Sequence, residues 1–139
     1  MQNKAHWQAL YDAMREALDD DGQDHVPIFH VTSVDTQTGK GATAPFIVYR
    51  QDVERSMGTM GGGELTVLDS GWVITSYAFD LGDGLDYLSL IETALADTTI
   101  TTGDGYTTTA FEVIGVQTLY DDEYKVYGTH MRAMWQRST

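Results

Sequence analysis

A chain of 139 residues, 42% of them apolar, is long enough for one domain with its own core and too apolar for global disorder. Twenty-one acidic residues against eight basic ones leave a net charge of −13, which argues against gripping nucleic acid through a basic patch. With no cysteine there is no disulfide framework, thiolate zinc site, iron–sulfur cluster or cysteine nucleophile.

The acid is mostly Asp, Thr is abundant, and lysine is confined to Lys4, Lys40 and Lys125. That pattern suits work in high salt, as in a halophilic host, where screening relieves self-repulsion. The plainer alternative is an ordinary acidic soluble protein. No run approaches the roughly 20 apolar residues that cross a bilayer. The N-terminal "MQNKAHWQALYDAMREALDDD" lacks the compact apolar stretch of a signal peptide, so the expectation is a protein retained in the cell that makes it.

In chain order, residues 3 to 19 predict an amphipathic helix. Trp7, Leu10, Tyr11, Met14, Ala17 and Leu18 gather on one face, Asn3 is placed as N-cap, and Gly22 is the stop signal. Three Asp at its end oppose the macrodipole, so an early end is expected. "PIFHVTSV" predicts a short strand and "DTQTGKGATA" a polar connection. "PFIVYRQDVERSMG" predicts a long strand, apolar on both faces where it starts and therefore central. "LTVLDSGWVITSYAF" returns, with Val73, Tyr77 and Phe79 on one side and Trp72, Ile74 and Ala78 on the other.

A second helix is predicted over about 83 to 97, with Tyr87, Leu88, Leu90, Ile91, Ala94 and Leu95 in one broad apolar arc. So wide an arc implies deep burial against a sheet, or a second contact on a neighbouring subunit. A Thr-rich connection turns at Asp104-Gly105, and "AFEVIGVQTLY" and "YKVYGTHMRAMWQRS" complete the chain as strands. In the last of these, Tyr127, Met131, Ala133 and Trp135 alternate with Gly128, His130, Arg132 and Met134. The prediction is one α+β domain over 1–139. Its sheet is mostly antiparallel with a long hairpin, and two amphipathic helices pack on one face.

"DLGDGLDYLSLIE" (80–92) invites reading as a calcium loop. With Asp80 at position 1, positions 3, 5 and 12 would be Gly82, Gly84 and Ile91, which cannot wrap an ion. The alternative is a helix start: Asp83 capping, Asp86 complementing the dipole in the first turn, Gly82 and Gly84 turning the chain off the sheet. "GTMGGGEL" and "TGKGAT" lack the P-loop pattern, since Lys40 is followed by Gly41. His6, His25, His30 and His130 show no metal-binding spacing, and no nucleophile motif is present. No catalytic residue, cofactor or metal site is therefore assigned. Met57 and Met60, beside the glycine-rich tip, are adaptable apolar contacts.

Taken together, "WQALYDAMREAL", "APFIVYRQ", "WVITSYAFD", "LDYLSLIETAL" and "YKVYGTHMRAMWQ" resemble, in order and spacing, the tail terminator (tail completion) proteins of long-tailed phages and related tailed viruses. The long acidic "DDDGQDH" link and the Thr-rich "TTITTGDGYTTT" segment depart from that pattern. The resemblance implies a non-enzymatic virion protein at the head–tail junction, assembled in the host cytoplasm. It implies a homo-hexameric ring that caps the tail tube, ends its polymerisation and joins the head-side connector. The implied partners are the tail tube protein, the connector protein and further copies of the chain, with DNA passing through unbound and no membrane involved. Arg55, Met57, Met60 and Glu64 at the hairpin tip, and Tyr87, Leu90 and Ala94 on the second helix, are the expected contact residues. The alternatives are another head–tail connector or minor tail protein, or a small α+β domain whose helix–sheet pocket binds a ligand or catalyses a reaction.

Overall fold

The computed structural model describes residues 4–30, 44–60, 65–96, 99–102 and 105–138, with the backbone alone for 53–60, 65–69 and 109–110. Helix α1 (Lys4–Asp20) buries His6, Leu10, Met14 and Leu18, a line at i, i+4 spacing. Trp7, Tyr11 and Ala17 flank that line half-buried, so the apolar stripe is centred on one more residue, His6, than its pattern predicts.

The helix does not end early. It runs through Asp19 and Asp20 and closes in a Schellman motif, with Gly22 at φ 79°. There Gln23 N–H donates to the Leu18 carbonyl (2.8 Å) and Gly22 N–H to the Asp19 carbonyl (3.1 Å). Arg15 offsets the unfavourable acids. It pairs with Asp19 at 2.9 Å and donates to the carbonyls of Val26 (2.7 Å) and Gln23 (3.2 Å). A cation one turn from the helix end thus ties the acidic link down. Asn3 lies outside the described residues.

Strand β1 (Ile28–His30) runs parallel to β2 (Phe46–Met60), which pairs antiparallel with β3 (Leu65–Ala78). After helix α2 (Leu81–Ala96) come β4 (Thr107–Asp121) and β5 (Val126–Ser138). The last strand inserts between β3 and β4, giving the order β1-β2-β3-β5-β4 and a curled half-barrel. The described part of the Thr-rich connection closes as expected, with Gly105 left-handed at φ 86°. Its Thr101 bridges Thr107.

The period-2 alternation sorts the sheet faces as the sequence predicts. Ile47 and Tyr49, Trp72, Ile74 and Ala78, and Met131, Ala133 and Trp135 meet the buried faces of both helices in one core. The opposite face holds a smaller cluster in which Phe46 stacks on Tyr77 at 4.8 Å. Phe46–Tyr49 are all buried, which fits a strand covered on both sides.

Helix α2 begins two residues before its expected start. Asp80, not Asp83, is the cap: its Oδ1 accepts from Gly82 N–H (2.8 Å) and Asp83 N–H (3.3 Å). Asp83 sits inside the first turn, where it complements the positive helix end, and Asp86 falls one turn further on. The two glycines are helical residues rather than hinges, lying inside the helix that Asp80 caps.

Gly84 has a different task. A Cβ there would lie 2.9 Å from Ser76 Oγ and 3.7 Å from Ala78 Cβ and Thr129 Oγ1. The Ser76 hydroxyl donates to the Gly84 carbonyl at 3.1 Å, so helix backbone rests directly on β3 and β5. Gly84→Ala is expected to lower stability by about 1–3 kcal/mol through overpacking, read as a fall in the urea midpoint. An unchanged midpoint would show that the helix can lift at no cost. Asp80→Ala should lose about 1 kcal/mol with its cap, and Asp83→Ala should lose less; equal losses would return the capping role to Asp83.

Candidate assembly surface

The broad arc of α2 divides between two neighbours. Tyr87, Leu88, Ile91 and Leu95 enter the core, while Leu90 and Ala94 stay half-buried in the seam with α1. A groove of about 680 Å³ follows that seam, lined by Ala17, Asp20, Tyr87, Leu90 and Ala94 among others. A second groove of about 570 Å³ continues along the same side of α1, over Ala5, Ala9 and Ala13, and shares Ala17, Asp20 and Ala94 with the first. Of the three helix residues expected at a contact, Tyr87 is thus a core residue, 6% exposed, that also lines the groove. Burial, together with the carboxylates of Asp83 and Asp86, pushes its hydroxyl above the usual tyrosine range. The width of the arc follows from α1 lying across it.

The other expected group sits on the long arm of the β2–β3 hairpin. Backbone pairing extends along this arm to Met60 opposite Leu65, carrying Arg55, Met57 and Met60 on β2; Glu64 lies outside the described residues. Helix seam and hairpin arm are separate elements of the fold.

A third surface escaped the sequence reading. Strand β4 forms a sheet edge on which Ile114, Val116, Leu119 and Tyr120 are each about half exposed (59%, 52%, 54% and 49%). Ile114 sits at a register shift between Val113 and Gly115. From Thr107 to Tyr120 the only charged residue is Glu112, and neither Lys nor Pro is present. Native edges are usually guarded by such residues. The signal was legible as an unguarded apolar strand, but only the topology reveals that the strand is an edge.

On the sheet face away from the helices, Asp52 receives both Arg132 (2.5 Å) and Arg50 (3.6 Å). These pairs are substantially exposed and contribute little stability. Nearby, His130 Nδ1 and the Thr75 hydroxyl share a hydrogen bond at 2.8 Å. Burial, and then the Arg50 charge, hold His130 below the usual histidine range. Burial does the same to His30, which stacks on Trp7 at 4.5 Å. Among the described residues no group of three or more His, Asp or Glu is placed to hold a metal ion. No described helix is long and apolar enough to cross a membrane.

These observations define an α+β domain whose distinctive surfaces, among the described residues, are a sheet edge and the helix seams. The same fold occurs in a chain of a solved structure, the virion of a native gene transfer agent (GTA) particle. That chain superposes with a TM-score of 0.64 at 9% sequence identity, covering 95% of this chain and 93% of its own length. No protein-family model matches the sequence, and no curated protein does either.

Both histidine shifts carry a pH dependence of one sign. Folded values lie below the 6.5 of an unperturbed histidine, so the unfolded chain takes up protons first as the pH falls. Their stabilising contribution is complete above pH 6.5 and is lost as pH drops through that value toward the lower folded ones. The urea midpoint should therefore fall on acidification from about pH 7.5 to about pH 5.5, and His130→Gln should shrink the fall. A fall of undiminished size in that variant would remove His130 from the effect.

Proposed function

We propose that the chain is a structural component of a tailed virus-like particle, and within that class a ring-forming tail terminator. The supporting observation is the near end-to-end match of its fold to a GTA virion chain, with almost nothing left over on either side. A ring subunit needs two different patches that pair head to tail and close. The hairpin arm with Arg55, Met57, Met60 and Glu64, and the helix seam with Leu90 and Ala94, are offered as contacts to copies of the chain, the tube protein or the connector. The net charge of −13 suits a ring through which DNA slides without sticking.

Electron microscopy of the particles tests the reading. Antibody label on this chain should fall as a single band at the tail's head-proximal end. Deletion of its gene should give overlong tails without heads. Normal-length tails joined to heads in the deletion strain would refute the terminator role. Label at the head vertex on particles of normal tail length would favour another connector.

A further inference from the structure

Among the described residues, six of the nine large apolar side chains that stand well exposed gather at one end of the molecule: Phe79, Leu81, Leu85, Leu119, Tyr120 and Tyr124. The topology brings them together. Ala78, Tyr127 and Tyr120 form one row across β3, β5 and β4, so Phe79, next to Ala78, lies roughly two strand spacings, or ~10 Å, from Tyr120. Gly84 rests on Ser76 and Thr129 just behind that row, which brings Leu81 and Leu85 to the same end. Tyr124 stands in the turn that joins β4 to β5. Two aspartates hold this end in shape. Asp80 caps α2 beside Phe79, and Asp121 Oδ1 accepts from the N–H groups of Glu123 (2.9 Å) and Tyr124 (3.1 Å). The apolar side chains are thus carried on fixed backbone, which lowers the ordering cost of binding.

The charges around this patch have one sign. Asp80, Asp83, Asp121, Asp122 and Glu123 are all exposed beside it, and within residues 78–86 and 119–127 the only cation is Lys125. An apolar centre with aromatic side chains and a charged rim is the anatomy of a protein interface. We infer that this end docks on a different protein of the particle, through a surface that is apolar at its centre and carries Lys or Arg around it. This rests on the reading of the chain as a particle component and supplies the chemistry of its partner. Burial of the apolar centre provides the affinity, and the opposed charges of the two rims set approach and orientation.

A second copy of the chain does not fit this end, for two reasons. End against end, two copies set five carboxylates against five. The arginines whose side chains are described are also already engaged: Arg15 with Asp19, Arg50 and Arg132 with Asp52, and Arg137 over the Tyr106 ring. Contacts between copies are therefore left to other surfaces.

Phe79 (60% exposed) and Tyr124 (57%) are the two most exposed of the six and carry the test. Particles are made with p-benzoylphenylalanine in the chain at position 79 or at position 124, and irradiated. Each position should cross-link to another virion protein, at a peptide with Lys or Arg within a few residues of the attachment point. The double variant Phe79→Ser, Tyr124→Ser should keep the native melting curve yet enter particles at least about tenfold less. Asp122→Lys with Glu123→Lys should also lower entry, with the apolar centre intact. Cross-links to a second copy of the chain, to lipid or to an acidic surface, or no cross-link at all, overturn the inference. So does undiminished entry of either variant. All of these are read in particles that contain the chain, so they leave its particle role standing. Particles that never contain the chain remove the role and this partner together.

Discussion

The fold turns on one close approach. At Gly84 the backbone of α2 touches the sheet, with Ser76 beneath it and Thr129 beside it. That contact sets how near the helix lies, and so how deeply Tyr87, Leu88, Ile91 and Leu95 reach into the core. Any side chain at position 84 would act as a wedge at the helix's first turns. Asp80 fixes where the helix starts and Gly84 fixes its height, so two residues of one short acidic segment orient an entire layer. The acids around them, which resemble an ion loop on paper, are explained by capping and dipole without an ion.

Most of the architecture was legible because its periods are clean. Alternation in β3 and β5 separated the two faces that the structure sorts into core and surface, and the double-sided apolar start of β2 named a central strand. What remained hidden was set by tertiary partners. The pattern of α1 could not show His6 inside, because a histidine is polar by type and is buried here by Trp72 and Trp135, whose rings lie 5.3 and 4.7 Å away. The end of α1 could not be timed, because Arg15 neutralises an unfavourable acidic terminus from one turn away. The width of the α2 arc was visible, but its two partners were not.

The surfaces were less legible than the core for a related reason. The strand "AFEVIGVQTLY" reads as an ordinary strand, and only the insertion of β5 between β3 and β4 turns it into an edge. Likewise, the hairpin was evident in sequence, whereas the parallel pairing of β1 with β2 was not. Surfaces for association follow from strand order, which a local pattern does not encode. The likeness to a GTA virion chain at 9% identity makes the same point: the layered pattern is retained where individual residues are not.

The arginines have a consequence for how anything reaches this molecule. Arg15 is held at the end of α1, Arg50 and Arg132 converge on Asp52, and Arg137 is buried with its guanidinium 4.7 Å from the Tyr106 ring centre. These four arginines are thus folded inward or answered locally, and with a net charge of −13 the far field is that of an acid. Seen from a distance, every copy is wrapped in the same cloud of counterions. Recognition between copies is then deferred to short range, where shape and backbone matter more than charge, and the surrounding electrolyte sets how often two copies come close enough to recognise each other.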